Sequence, residues 1–123
     1  MGENAWCKTL CLLRERHGRD LHRLRALGLQ PGDEVITSAH SWISTSETIT
    51  QAGGRVVFSD TDAETFTIDP ADIERKITPA TVGIIVYLYG QPADMGAIMA
   101  IAKKRNLWVI EDCAQTHLAS YDG

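Results

Sequence analysis

The sequence predicts an α/β protein of three layers, with a mostly parallel sheet between helices. Three observations carry this. Short β-branched apolar runs recur at "EVIT", "RVVFS", "VGIIVYLY" and "LWVI", the pattern of strands covered on both faces. Segments of helical period with helix-end signals lie between them. Two of the runs pass directly into carboxylates, at Asp60 and at Glu111-Asp112. A buried strand tolerates that only where it emerges to water, a cation or a ligand.

Each element can be justified in turn. "LRALG" closes a helix, with Gly28 free to take the left-handed conformation after it. Pro31-Gly32 turn the chain into a strand from Glu34 to Thr37. Ser41 stands where it could cap a helix from Trp42 to Ala52, which Gly53-Gly54 stop. Arg55 to Ser59 form the second strand. In "IDPADIERKIT", Asp69 is the N-cap, Pro70 takes N1 and Asp72 takes N3. Ile68 and Ile73 have the spacing of a hydrophobic staple. Val82 to Tyr89 form the third strand. In "PADMGAIMAIAKKRN", Met95, Ile98, Met99 and Ala102 fall at i, i+3, i+4 and i+7. Lys103, Lys104 and Arg105 suit that helix's negative end, and Asn106 closes it. Leu107 to Ile110 form the fourth strand.

With 44% hydrophobic and 23% charged residues among 123, the chain can bury the core of one modest domain. Its net charge of -4 is uneven: residues 1–30 carry six Lys/Arg against three Asp/Glu, and the rest is acidic. No basic patch interleaves with aromatics, which argues against a nucleic-acid partner. The apolar runs fall far short of the roughly 18 residues of a membrane span. "MGENAWCKTLCLL" lacks a signal peptide's basic n-region. Cys7, Cys11 and Cys113 make no CxxC pair, and a reducing cytoplasm is the expected setting.

Ligands of open α/β sheets sit beyond the carboxyl ends of the strands, here Ser38–Trp42, Asp60, Tyr89-Gly90 and Glu111–Gln115. Asp112 could hold Mg²⁺, a ribose hydroxyl or a protonated ring nitrogen, or cap a following helix. Gln115, one helical turn on, offers a donor and an acceptor on the same side. Trp42 could stack on an aromatic ligand or belong to the core. His40 and His117 have no partners at ligand spacing and read as solvated loop residues, so no metal site is expected. Cys113 sits beside negative charge that blunts its reactivity and reads as structural. There is no GxGxxG, Walker loop, GxSxG or HExxH.

Three longer blocks, "LRALGLQPGDEVITSAHSWISTSETITQAGGRVVFSD", "ITPATVGIIVYLYGQPADMGAI" and "LWVIEDCAQTHLASYDG", resemble the DegT/DnrJ/StrS family of pyridoxal-phosphate-dependent sugar aminotransferases, of fold type I. The likeness covers residues 24–123, an expected partial cofactor-binding large domain, and leaves residues 1–23 atypical. It implies that Asp112 pairs with the pyridine nitrogen of pyridoxal 5'-phosphate, Gln115 hydrogen-bonds its phenolic oxygen and Trp42 stacks on its ring. Glu111 would be an orienting neighbour. The implied whole enzyme is a cytoplasmic homodimer that moves an amino group, from glutamate, onto a nucleotide-linked keto-sugar. It needs neither nucleic acid nor membrane.

Two departures qualify this. The family's Schiff-base lysine has no counterpart here, since Lys8, Lys76, Lys103 and Lys104 lie outside its motif. The chain is therefore expected to be a piece of the enzyme, inactive alone. The Gly-Thr/Ser pair that precedes "LRALG" in the family is replaced by "WCKTLCLLRERHGRDLHR", as a shifted reading frame or a misplaced start would produce. Tyr87 and Leu118 stand where the family often has His and Gly. The rivals are a sugar dehydratase of the same family and a non-catalytic flavodoxin-like binding module. The second is disfavoured because "SAHSW" holds no glycine.

Overall fold

A computed structural model describes residues 16–87, 90–113 and 115. Among the described residues, four helices and four strands alternate: α1 (Arg16–Ala26), β1 (Glu34–Ser38), α2 (Ile43–Gln51), β2 (Arg55–Ser59), α3 (Pro70–Lys76), β3 (Thr81–Tyr87), α4 (Met95–Arg105) and β4 (Trp108–Asp112). The sheet is wholly parallel, in the order β2-β1-β3-β4. The expected three layers are present. Leu24 of α1 and Ile49 of α2 pack with Val35, Ile85 and Ile110 on one face. Ile73 of α3 and Ile98 of α4 pack with Ile36, Ile84 and Val86 on the other.

The helices change face where the strand order reverses. β2 lies on one side of β1, and β3 and β4 lie on the other. Right-handed crossovers therefore place α2 on one face and α3 and α4 on the opposite one. The reversal opens a crevice between the carboxyl ends of β1 and β3.

Local signals explain most boundaries. Asp69 accepts a hydrogen bond from the Ala71 amide at 2.8 Å, and Pro70 begins α3. Ile68 and Ile73 are both buried, as a staple requires. Asn106 closes α4 at φ 55°, and Gly28 follows α1 at φ 78°. Asp94 caps α4 through the Ala97 amide at 3.0 Å, a role the sequence reading missed.

Ser41 does not cap α2. Trp42 occupies the N-cap with extended backbone and makes no side-chain cap bond, and the Ser41 hydroxyl is buried without a partner among the described residues. The polar run "SAHS" is drawn into a loop pinned to β2, so the helix starts one residue later than expected. The fourth strand is longer than expected and includes both carboxylates. It is also only half covered, because β4 lies at the edge of the described sheet. β1 and β3, each between two neighbours, are the strands buried on both faces.

Two buried carboxylates cross-link the elements, one between strands and one between a helix and a strand. Glu34, 1% exposed, pairs with Arg55 and accepts hydrogen bonds from Thr78 and Thr81. It locks the amino ends of β1, β2 and β3. Asp72, 5% exposed, accepts from the Ser59 hydroxyl at 3.1 Å and the Asp60 amide at 2.7 Å. It also pairs with Arg75 and Lys76, each at 2.9 Å. The Asp60 amide and the Lys76 ammonium hold its carboxyl well below the usual carboxylate range, against the opposing effect of burial.

Candidate functional site

The rim at the carboxyl ends of the strands is assembled by alternation along β4 and by the loop after β1. Successive strand residues point to opposite faces. Trp108 and Ile110 pack on the α1/α2 face, so Asp112, two residues further, projects on that face as well. It is half-buried, while Glu111 is exposed on the opposite side. Trp42 occupies the N-cap position of α2, and α2 covers the same face as Asp112. The indole is 56% exposed. Trp42 is therefore not a core residue: it offers a flat aromatic surface on the side of the sheet where the carboxylate emerges.

The loop that carries Trp42 is built by short-range bonds. The Ser38 hydroxyl accepts from the His40 amide and donates to the His40 carbonyl, both at 3.2 Å. The Ala39 amide donates to the Ser59 carbonyl at 2.8 Å, prolonging the β1–β2 pairing past the strand end. The Trp42 carbonyl then accepts from the Thr45 amide at 3.0 Å and starts α2. A recess of about 160 Å³ lies beside this loop, between Ser38, Ser41, Trp42 and Phe58.

Gln115 lies in a turn beyond β4 rather than on a continuing helix, and its side chain is exposed. Its backbone carbonyl approaches Gly90: a Cβ built on that glycine would stand 3.6 Å from it. With φ 81°, Gly90 turns the chain at the carboxyl end of β3, beside the Gln115 backbone. The loops that follow β3 and β4 thus meet at the rim.

The other sequence-predicted residues divide clearly. His40 is exposed, and no group of three potential metal ligands forms among the described residues. Asp60 is exposed at the end of β2. Cys113, expected to be structural, is exposed and belongs to no core cluster: its step past the strand end carries it off the packed face. Cys7, Cys11, Tyr89, His117 and Leu118 lie outside the described residues, as does the Tyr87 side chain. Of the lysines, Lys76 is engaged by Asp72 and Lys104 by Glu74. Both belong to α3 and α4, across the sheet from Asp112. Among the described residues, no helix is long and apolar enough to cross a membrane. Sequence reading took Asp72 only for a helix-start acid. Nothing in the local pattern signals that it reaches Ser59 and Asp60, because that contact joins residues 12 or 13 positions apart through the fold.

A half-buried acid, an exposed indole on the same face and an amide beyond them suit a planar, cationic, heteroaromatic ligand. The comparisons with known proteins agree in kind. Residues 21–123 match the model of the DegT/DnrJ/EryC1/StrS aminotransferase family. The chain belongs to this family. Its relatives include a pleiotropic regulatory protein of Geobacillus stearothermophilus, 54% identical over 81% of the chain and 27% of the relative. They also include the UDP-2-acetamido-2-deoxy-3-oxo-D-glucuronate aminotransferase of Pseudomonas aeruginosa, 50% identical over 80% of the chain and 28% of that enzyme. Among solved structures, NtdA of Bacillus subtilis with bound cofactor PMP superposes with TM-score 0.77 at 43% identity, covering 80% of this chain and 23% of that one. The chain thus spans about a quarter of the length of the relatives it matches, and the parallel sheet and its two helical layers are the part of the family's fold type I architecture that it supplies.

Proposed function

We propose that this chain supplies part of the cofactor-binding domain of a pyridoxal-phosphate-dependent aminotransferase acting on nucleotide-linked keto-sugars, with glutamate as amino donor and a homodimer as the working form. The observation that carries the reading is the placement of Asp112 and Trp42 on one face of the sheet, at the carboxyl ends of its strands. Asp112 would keep the ring nitrogen protonated. At an effective dielectric near 20, a pair about 3 Å apart interacts by roughly 5 kcal/mol before desolvation, and two pKa units need only about 3 kcal/mol. Gln115 would fix the phenolic oxygen, and Trp42 would cover one ring face and exclude water from it. When bound, the cofactor supplies an electron sink for the carbanion left by loss of a substrate α-proton. Lys76, Lys103 and Lys104 belong to helices on the far side of the sheet from Asp112, and in this reading the described residues bind the cofactor noncovalently. A regulatory role, which the Geobacillus relative's name raises, requires neither the acid nor the indole at the rim.

Titration of the chain with pyridoxal phosphate, followed by absorbance, tests this. Saturable binding is expected, weakened about 10- to 100-fold in Asp112→Asn by loss of a charge-assisted bond. Equal affinity in wild type and variant would refute the assignment of Asp112.

A further inference from the structure

We propose that Asp72, a buried carboxylate carried by the helix on the opposite side of the sheet from Trp42, is a positioning residue that sets the aromatic wall of the rim. The path is continuous. Asp72 Oδ2 accepts from the Ser59 hydroxyl at 3.1 Å and from the Asp60 amide at 2.7 Å, holding the last residue of β2 and the first beyond it. The Ser59 carbonyl accepts from the Ala39 amide at 2.8 Å. Ala39 opens the loop in which Ser38 clasps His40 through both its amide and its carbonyl. Two residues later the chain reaches Trp42.

Three of these residues are sealed from solvent: Ser59 is 0% exposed, Ser38 3% and Asp72 5%. A displacement at one of them is passed to the next rather than absorbed by water, since buried polar groups must keep their partners. Trp42, by contrast, is mostly exposed and makes no cap bond through its side chain. Packing alone does not fix its orientation, so the loop's anchorage must. The only side chain that α3 sends to the end of β2 with bonds to both Ser59 and Asp60 among the described residues is that of Asp72.

The relay rests on the reading of Trp42 only in its consequence for the cofactor; its existence is tested without one. In the full chain, the indole N–H resonance of Trp42 is assigned by difference against Trp42→Phe, which separates it from Trp6 and Trp108. Asp72→Asn and Ser59→Ala are expected to shift that resonance, and Asp72→Glu to restore part of its position. Ile73→Val, a destabilising change on the same helix that breaks no link, is expected to leave it in place. A Trp42 resonance unmoved in Ser59→Ala, or moved equally by Ile73→Val, overturns the proposal. Ser59→Ala carries the test should Asp72→Asn fail to fold. Pyridoxal phosphate titrated into the same samples adds the second readout: loss of the stacking contact is expected to weaken binding about 2- to 10-fold. A shifted resonance with unchanged binding would uphold the relay and refute the stacking role.

Discussion

Gly83 and Trp108 face each other in register across β3 and β4, and replacing the glycine tests how tightly this face is built. A Cβ on Gly83 would lie 2.2–2.3 Å from three atoms of the Trp108 ring, well inside the roughly 3.5 Å at which carbon atoms rest. The Gly83 backbone cannot give, being held by β1 on one side and β4 on the other. The indole must swing away and abandon its contacts with the cluster of Val35, Ile85 and Ile110. Overpacking of this kind costs about 2–3 kcal/mol, or roughly 10 °C in melting temperature for a domain of this size. Urea unfolding followed by circular dichroism measures it. In a Trp108→Ala background the clash is gone, and Gly83→Ala is expected to be neutral or to stabilise by up to about 1 kcal/mol, because alanine restricts the unfolded chain. Equal destabilisation in both backgrounds would refute the reasoning.

Two further outcomes follow from the buried carboxylates. Arg55→Ala leaves Glu34 buried without its cation and is expected to cost roughly 3 kcal/mol, whereas Glu34→Gln keeps acceptors for Thr78 and Thr81 and costs about 1–2 kcal/mol; denaturant midpoints give the order directly, and the reverse order would contradict it. Asp72 has a folded-state pKa depressed below the unfolded value near 4, so the stability it adds is complete above about pH 4 and is lost as the pH falls below it. Asp72→Asn should flatten the acid limb of the stability–pH curve, and an unchanged limb would count against this account.

How much of this was legible beforehand depended on the range of the interaction. The Asp69-Pro70 start of α3, its isoleucine staple and the left-handed Asn106 are local, and the residues involved announce them. The face of the sheet on which Asp112 emerges was not announced, since it depends on register, and register comes from pairing with β3. The cap of α2 misled for a related reason: Ser41 has a capping side chain, but the Ala39–Ser59 bond sets where the loop ends. β4 reads as buried on both sides because composition cannot distinguish a central strand from one at the edge of the described sheet. The rim residues could be named by their position at strand ends, and the roles proposed for them rest on likeness to a family, because the chemistry of a carboxylate is the same whether it caps a helix or meets a ring.

β3 stands between the strand that leads to Trp42 and the strand that ends in Asp112. Seventy residues of chain separate the indole from the acid, and the two come to one rim only after the intervening strand has inserted and the last has docked beside it. Such distant, parallel pairings form slowly. In the proposed reading, a partly folded chain holds Trp42 without Asp112 beside it, so a ring bound at this rim would favour the state in which β3 and β4 have both docked.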